Sequence, residues 1–293
     1  MAVEGQSCRT IKIMEKAKLI YNGKATLGEG PIWLEDSNEL MWVDIEKTTL
    51  NFLDLQTYMN QEFLIGQRVG FAAVKDTSTF YLGTQEGIFE FDRNTSSKKF
   101  LHQPPTKFDE NIRFNDGKIG PDGALYAGTM HLSVVEGAGT FYKIETNGEY
   151  IPLIQNTTIA NGLGWSPDKK ITYFIDTPNF EVMALELSED NLIMNKRIVI
   201  SIPQDYGAPD GMTVDKDGNV WIAHWGGAKV SQWNPDKNEC LKIIEVGVPN
   251  VTSCTFIDHD CKKLAITTAN FGMSDKELNE YPLSGGIFLY ELK

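Results

Sequence analysis

An aspartate-led turn followed by a short apolar strand occurs six times along the 293 residues, and it predicts an all-β chain closed into a six-bladed propeller. The turn residues are Asp36, Asp76, Asp122, Asp168, Asp217 and Asp260, at spacings of 40, 46, 46, 49 and 43 residues. A period in the forties with several short strands per unit is the mark of propeller blades rather than of helical repeats. The second observation is polar. Seven residues before each turn aspartate stand Glu29, Val69, Asn115, Asn161, Asp210 and Ser253, so that four of the six positions carry carboxylate or carboxamide oxygens amid apolar neighbours.

The unit between Asn161 and Pro203 shows how one blade is built. Apolar runs at 162–165, 171–175, 181–187 and 197–202 are short, rich in Val, Ile, Tyr and Phe, and separated by Asp, Asn, Pro and Gly. They predict a four-stranded antiparallel blade, and six such blades fill the chain. The last unit lacks a fourth strand after 286–292, whereas 17–21 precedes the first unit with no partner. The N-terminal segment is therefore expected to complete the sixth blade, which closes the ring and leaves no unpaired sheet edge. One domain over 1–293 is expected, with about 1–16 as an N-terminal extension.

Composition bounds the partners. A hydrophobic fraction of 41% with 11% aromatic residues suits a packed globular chain, and no apolar run approaches the roughly 18 residues that span a membrane. The net charge of −13 argues against nucleic acid and anionic membranes as partners. The start of the chain lacks the basic-then-apolar order of a secretory signal, so a cytoplasmic location is expected, and a monomer. Cys8, Cys240, Cys254 and Cys261 have no metal-site spacing and are read as reduced thiols.

In a propeller the first strand of every blade lines the channel, and equal register means equal height. Glu29, Asn115, Asn161 and Asp210 are then expected to form one ring near the channel mouth. Carboxylates held together in a buried place repel unless a positive charge sits among them. One divalent cation answers that need. With oxygen donors only, Ca²⁺ is favoured, with Mg²⁺, Mn²⁺ and Zn²⁺ as alternatives. The competing reading is that Asn161-Gly162, Asp210-Gly211 and Asp116-Gly117 are ordinary turn pairs.

The segments 27–33 (LGEGPIW), 113–118 (RFNDGK), 127–130 (AGTM), 160–166 (ANGLGWS), 209–212 (PDGM) and 251–253 (VTS), in this order, resemble the senescence marker protein/regucalcin/gluconolactonase family, which includes luciferin-regenerating enzyme-like proteins. The resemblance implies a metal-dependent lactonase, a hydrolase of carboxylic esters. Position by position, it implies that Glu29, Asn161 and Asp210 hold the metal and that Arg113 and Asn115 contact substrate. Arg113 and Asn115 are two apart on one strand and so share a face. An arginine beside a carboxamide also suits a substrate bearing hydroxyl or carboxylate oxygens.

Ester hydrolysis needs an oxyanion stabilised and a water activated, and both tasks suit a divalent ion. Asp210 is the expected catalytic residue, either as the base that takes the proton of water or as a direct nucleophile. One departure bears on substrate. Sugar-lactone-hydrolysing members of the family often carry an acidic residue shortly after Gly-Thr-Met, and here Met130 is followed by His131, Leu132 and Ser133. His131 and His224 are further candidates for substrate contact. The alternatives to a lactonase are a phosphotriesterase or aryl-esterase on the same metal, and a non-catalytic calcium-binding protein.

Overall fold

The computed structural model describes residues 14–105, 108–188 and 192–292. Their strands form six antiparallel sheets, each a run of four consecutive strands except where the chain ends meet, arranged as blades round a ring. The innermost strands are Gly28–Leu34, Val69–Val74, Ile112–Ile119, Ala160–Trp165, Ala208–Val214 and Val251–Phe256. In blade 4 the strands are Ala160–Trp165, Ile171–Asp176, Glu181–Leu187 and Ile193–Ser201, close to the runs read from sequence.

The ring closes as the unpaired N-terminal run requires. Lys18–Tyr21 pairs antiparallel with Ile287–Glu291, matching Lys18 to Leu289 and Tyr21 to Ile287, and so supplies the outer strand of blade 6. The segment just before it does something the sequence reading did not foresee. Met14–Lys16, assigned there to the extension, adds a parallel fifth strand to blade 5 along Glu239–Glu245. One N-terminal stretch thus ties two neighbouring blades, and residues 1–13 of the expected extension lie outside the described residues.

A sheet that is apolar on both faces must be covered on both, and here each blade is covered by the next. The core is accordingly split into clusters between blades. Met41, Phe52, Val69 and Phe80 join blades 1 and 2, while Trp221, Ile244, Val251 and Phe288 join blades 5 and 6. Phe141 of blade 3 stacks on Phe174 of blade 4 at a centroid distance of 4.4 Å. Burial of one such side chain contributes about 2 kcal/mol. A short helix, Asp275–Glu280, falls in blade 6 where the sequence reading had placed none; Ser274 and Glu277 form a reciprocal capping box at its start. Among the described residues no helix is long and apolar enough to cross a membrane, and Cys240, Cys254 and Cys261 are free thiols. Cys8 lies outside the described residues.

Every inner strand carries a break in register at the same height. The pairing with the second strand shifts between Glu29 and Ile32, Val69 and Phe71, Phe114 and Gly117, Asn161 and Leu163, Pro209 and Met212, and Val251 and Ser253. A β-bulge leaves one residue unpaired and turns its side chain out of the strand's alternation. The six-fold register therefore stands at a six-fold break in the backbone ladder, at or beside the unpaired residues of each inner strand.

Close approach of the inner strands explains the glycines. A Cβ on Gly162 would lie 2.5 Å from the Asp210 carbonyl oxygen, and one on Gly70 would lie 2.2 Å from that of Phe114. Asn161-Gly162 and Asp210-Gly211 therefore sit within strands, where the glycine makes room for the neighbouring strand, and they are not turns.

Candidate metal and active site at the channel mouth

Three blades bring the expected ligands together, and each uses the same register to do so. The residue preceding Glu29 pairs with Asp44, the one preceding Asn161 with Asp176, and the one preceding Asp210 with His224. Asp44 accepts hydrogen bonds from the backbone N–H groups of Thr26 (2.8 Å) and Leu27 (3.0 Å). Asp176 accepts those of Thr158 (3.1 Å) and Ile159 (2.9 Å). His224 meets the same loop from the other polarity, its Nδ1–H donating to the Gly207 carbonyl at 3.3 Å. In each case the entering loop is pinned two or three residues before the side chain that faces the axis.

Asn161 and Asp210 touch directly, Asn161 Nδ2 donating to Asp210 Oδ1 at 2.5 Å. Asn161 Nδ2 also donates to Thr177 Oγ1 at 3.1 Å, and that hydroxyl donates to the Pro209 carbonyl at 2.9 Å, which fastens blade 4 to blade 5 beside the site. Arg113 and Asn115 share a face as expected, with Arg113 Nη1 donating to Asn115 Oδ1 at 2.7 Å and to the Phe114 carbonyl at 2.9 Å. Asn115 Nδ2 donates to the Ala160 carbonyl at 3.1 Å. Glu29, Arg113, Asn115, Asn161 and Asp210 all line one cavity of about 310 Å³. That is the lower end of the roughly 300–1,000 Å³ typical of small-molecule sites.

Charge at this place is out of balance. Burial raises Glu29 well above the ordinary carboxylate range, and the charges of Asp210 and Asp116 raise it further. Burial pushes Asp210 up to about 8 against the pull of the Asn161 hydrogen bond, with Asp116 adding to the rise. Burial lowers Arg113 to about 10, while Glu46, Glu29 and Asp210 hold it up, so it stays charged at neutral pH. Two cations, Arg113 and the Lys118 below it, face the three acidic groups Glu29, Asp210 and Asp116. Two of these, Glu29 and Asp210, together with the Asn161 carboxamide, form an oxygen donor set that fits a hard divalent cation. Among the described residues no trio of His, Cys, Asp and Glu is grouped as a metal nest, and the candidate set draws its third donor from Asn161.

Asp116 was read from sequence only as half of a turn pair. It is instead a buried residue of the blade 3 bulge, its Oδ1 accepting from Gly117 N–H at 2.7 Å. Its neighbour below is Lys118, whose Nζ donates to the carbonyls of Leu163 (3.0 Å) and Met212 (2.7 Å) and so straps blades 3, 4 and 5 across the channel. The sequence signal for both was present in the polar run 115–118 on an otherwise apolar strand.

The two histidines are not brought into the cavity. His131 ends its strand at the rim, and its Nδ1 accepts the Ser133 N–H at 3.0 Å. His224 is fully buried, and its Nε2 meets Ser231 Oγ at 2.6 Å. Burial lowers it to about 3, so the imidazole is neutral and serves the loop contact already described. The residues beside them line the cavity instead: Met130, Val134 and Trp225, with Ile159 and Phe271.

The model of the SMP-30/gluconolactonase/LRE-like region matches residues 27–270, from just before Glu29 to the residue before Phe271. The chain belongs to this family. Among its relatives is YvrE of Bacillus subtilis, named as a candidate sugar lactone lactonase, which is 31% identical over 278 residues covering 94% of this chain and 95% of the relative. Regucalcin of Xenopus laevis is 29% identical over 282 residues, 93% of each chain. Among solved structures, regucalcin of Agrobacterium tumefaciens, described as a calcium-binding protein, superposes with a TM-score of 0.89 at 25% identity, over 95% of this chain and 94% of that one. Family membership supports a lactonase-type function on a six-bladed propeller.

Proposed function

We propose that this family member is a divalent-cation-dependent lactonase, with Glu29, Asn161 and Asp210 holding the cation and Arg113 and Asn115 holding the substrate. The observation that carries the reading is convergence. A half-buried carboxylate, a buried carboxyl group and a buried carboxamide from blades 1, 5 and 4 meet in a cavity whose other polar wall is an arginine that stays charged. Glu29, Asn161 and Asp210 would hold a cation there, which would supply polarisation of the ester carbonyl and acidification of a water, and their oxygen-only donors favour Ca²⁺.

The side chains then divide the work. Arg113, oriented by Asn115 and the Phe114 carbonyl, holds an oxygen of the lactone by a charge-assisted bond. Asp210 accepts the proton of the attacking water as the new carbon–oxygen bond forms. The ring carbon–oxygen bond breaks, its oxygen takes that proton, and the product hydroxy acid releases one proton on ionising. The Asn161 hydrogen bond keeps the Asp210 carboxylate oriented. Phosphotriester or aryl-ester hydrolysis would use the same groups.

The test is a pH-indicator assay on a sugar lactone, an aliphatic lactone and an aryl phosphate ester, after chelation and after return of Ca²⁺, Mn²⁺ or Zn²⁺. Metal-restored turnover of a lactone is the expected result. Turnover of none of the three overturns the hydrolase reading and favours the calcium-binding role that the Agrobacterium relative's description states for that protein.

A further inference from the structure

The upper wall of the cavity is apolar. Met130, Val134, Ile159, Trp225 and Phe271 come from four blades and surround the space above the charged floor. The polar groups of that floor are largely engaged with one another and with backbone. Asn161 is bonded to Asp210 and Thr177, the Thr177 hydroxyl to Pro209, and the Asn115 amide to Ala160. Hydroxyls on a bound sugar ring would meet hydrocarbon above and, below, amide and hydroxyl donors that are already occupied, leaving Arg113 for the ester oxygen. A buried hydroxyl left without a partner weakens binding about tenfold.

The rim is built to present this surface. Val134 has φ +53°, a left-handed backbone that a β-branched residue rarely takes, and its N–H donates to the His131 carbonyl at 2.9 Å. The side chain is 48% exposed, so burial in the core does not account for the strain. Phe271, 47% exposed on the opposite side, is fixed by its N–H to the Thr26 carbonyl at 2.8 Å, and its own carbonyl accepts from Asn250 Nδ2 at 3.4 Å. Two apolar side chains are thus held half-exposed by backbone bonds over a polar floor.

We infer that the site takes lactones whose ring carries an alkyl or aryl substituent in place of hydroxyls, with the substituent against Val134, Trp225 and Phe271 and the ester over Asp210 and Arg113. This rests on the lactonase reading for the chemistry but not for the preference of the cavity. Each methylene covered by the wall strengthens binding about fourfold.

The experiment pairs turnover with binding on the metal-loaded protein. Turnover compares δ-decalactone with glucono-δ-lactone; calorimetry compares a non-hydrolysable pentyl-substituted δ-lactam with gluconolactam. Expected is a kcat/KM at least about tenfold higher for δ-decalactone, with the alkyl lactam the tighter ligand. The Phe271→Ser variant is expected to lower kcat/KM for δ-decalactone about tenfold more than for unsubstituted δ-valerolactone. Equal or better turnover of the sugar lactone, or tighter gluconolactam binding, overturns the inference. Absence of all turnover with the alkyl lactam still preferred sinks the lactonase reading and leaves the apolar site standing. If neither lactam binds, the inference falls as well.

Discussion

Blades 5 and 2 use the same bulged inner strand to opposite ends. In blade 5 the residue at the register position is Asp210, buried, acidic and facing a cavity. In blade 2 it is Val69, fully buried among Ile45, Phe80 and Leu82 in the core between blades 1 and 2. The backbone device is common to both, since each pairing shifts register at this height and a glycine follows. What differs is only the side chain. The repeat therefore supplies six equivalent seats round an axis, and chemistry depends on which seats receive oxygen donors.

The largest expected effect comes from emptying a functional seat. Asp210→Asn keeps the volume and the contact with Asn161 but removes the proposed proton acceptor and cation ligand. Lactone turnover is expected to fall by about a thousandfold. In urea the folded protein is expected to be at least as stable as wild type in chelator, because a buried carboxylate raised to about 8 has been removed. A variant that keeps a tenth of wild-type kcat would break the assignment of Asp210.

The converse change belongs to blade 2. Val69→Ala opens a void in the core and is expected to cost about 2 kcal/mol in denaturant unfolding while kcat/KM stays within about twofold. Gly162→Ala should do both kinds of damage at once. Its Cβ would collide with the Asp210 carbonyl, so a loss of about 2 kcal/mol accompanied by impaired turnover is expected. Unimpaired stability there would refute the strand-packing role of the glycine.

A pH-dependent effect, visible only as a gap that changes over the acid range, separates the proposed ligands from their supports. His224 is neutral in the fold with a value lowered to about 3, whereas in the unfolded chain it titrates near its usual 6.5. A depressed histidine contributes stability that is present above the unfolded value and is lost as pH falls toward the folded one. Between pH ~6.5 and ~3 this group takes away about 1.4 kcal/mol per pH unit. In His224→Gln this contribution is absent, so the stability gap between wild type and variant is expected to narrow as pH falls. A gap that widened toward pH 4 would contradict the neutral, hydrogen-bonded imidazole.

The turn aspartates and apolar runs were enough to read blade number, strand number and ring closure, because closure follows from counting strands that lack partners. The ligand-type residues were legible for a related reason: Glu29, Asn161 and Asp210 stand at one register in units far apart in sequence, which local turn chemistry does not predict. The charge Asp116 adds to the site and the loop-pinning roles of Asp44, Asp176 and His224 were not legible. Their partners are backbone groups on the neighbouring strand or loop, or charges on other blades.

The sequence by itself determined the architecture and the height at which polar side chains stand, since both are periodic properties of one chain. The tertiary structure alone decided which of those side chains meet. Asn161 and Asp210 are 49 residues apart, and only the packing of inner strands at glycine distance brings their side chains to 2.5 Å. It also decided what covers them. Val134, Trp225 and Phe271 come from loops and strand ends of three blades, follow no common period, and acquire a shared apolar wall only when the ring is closed.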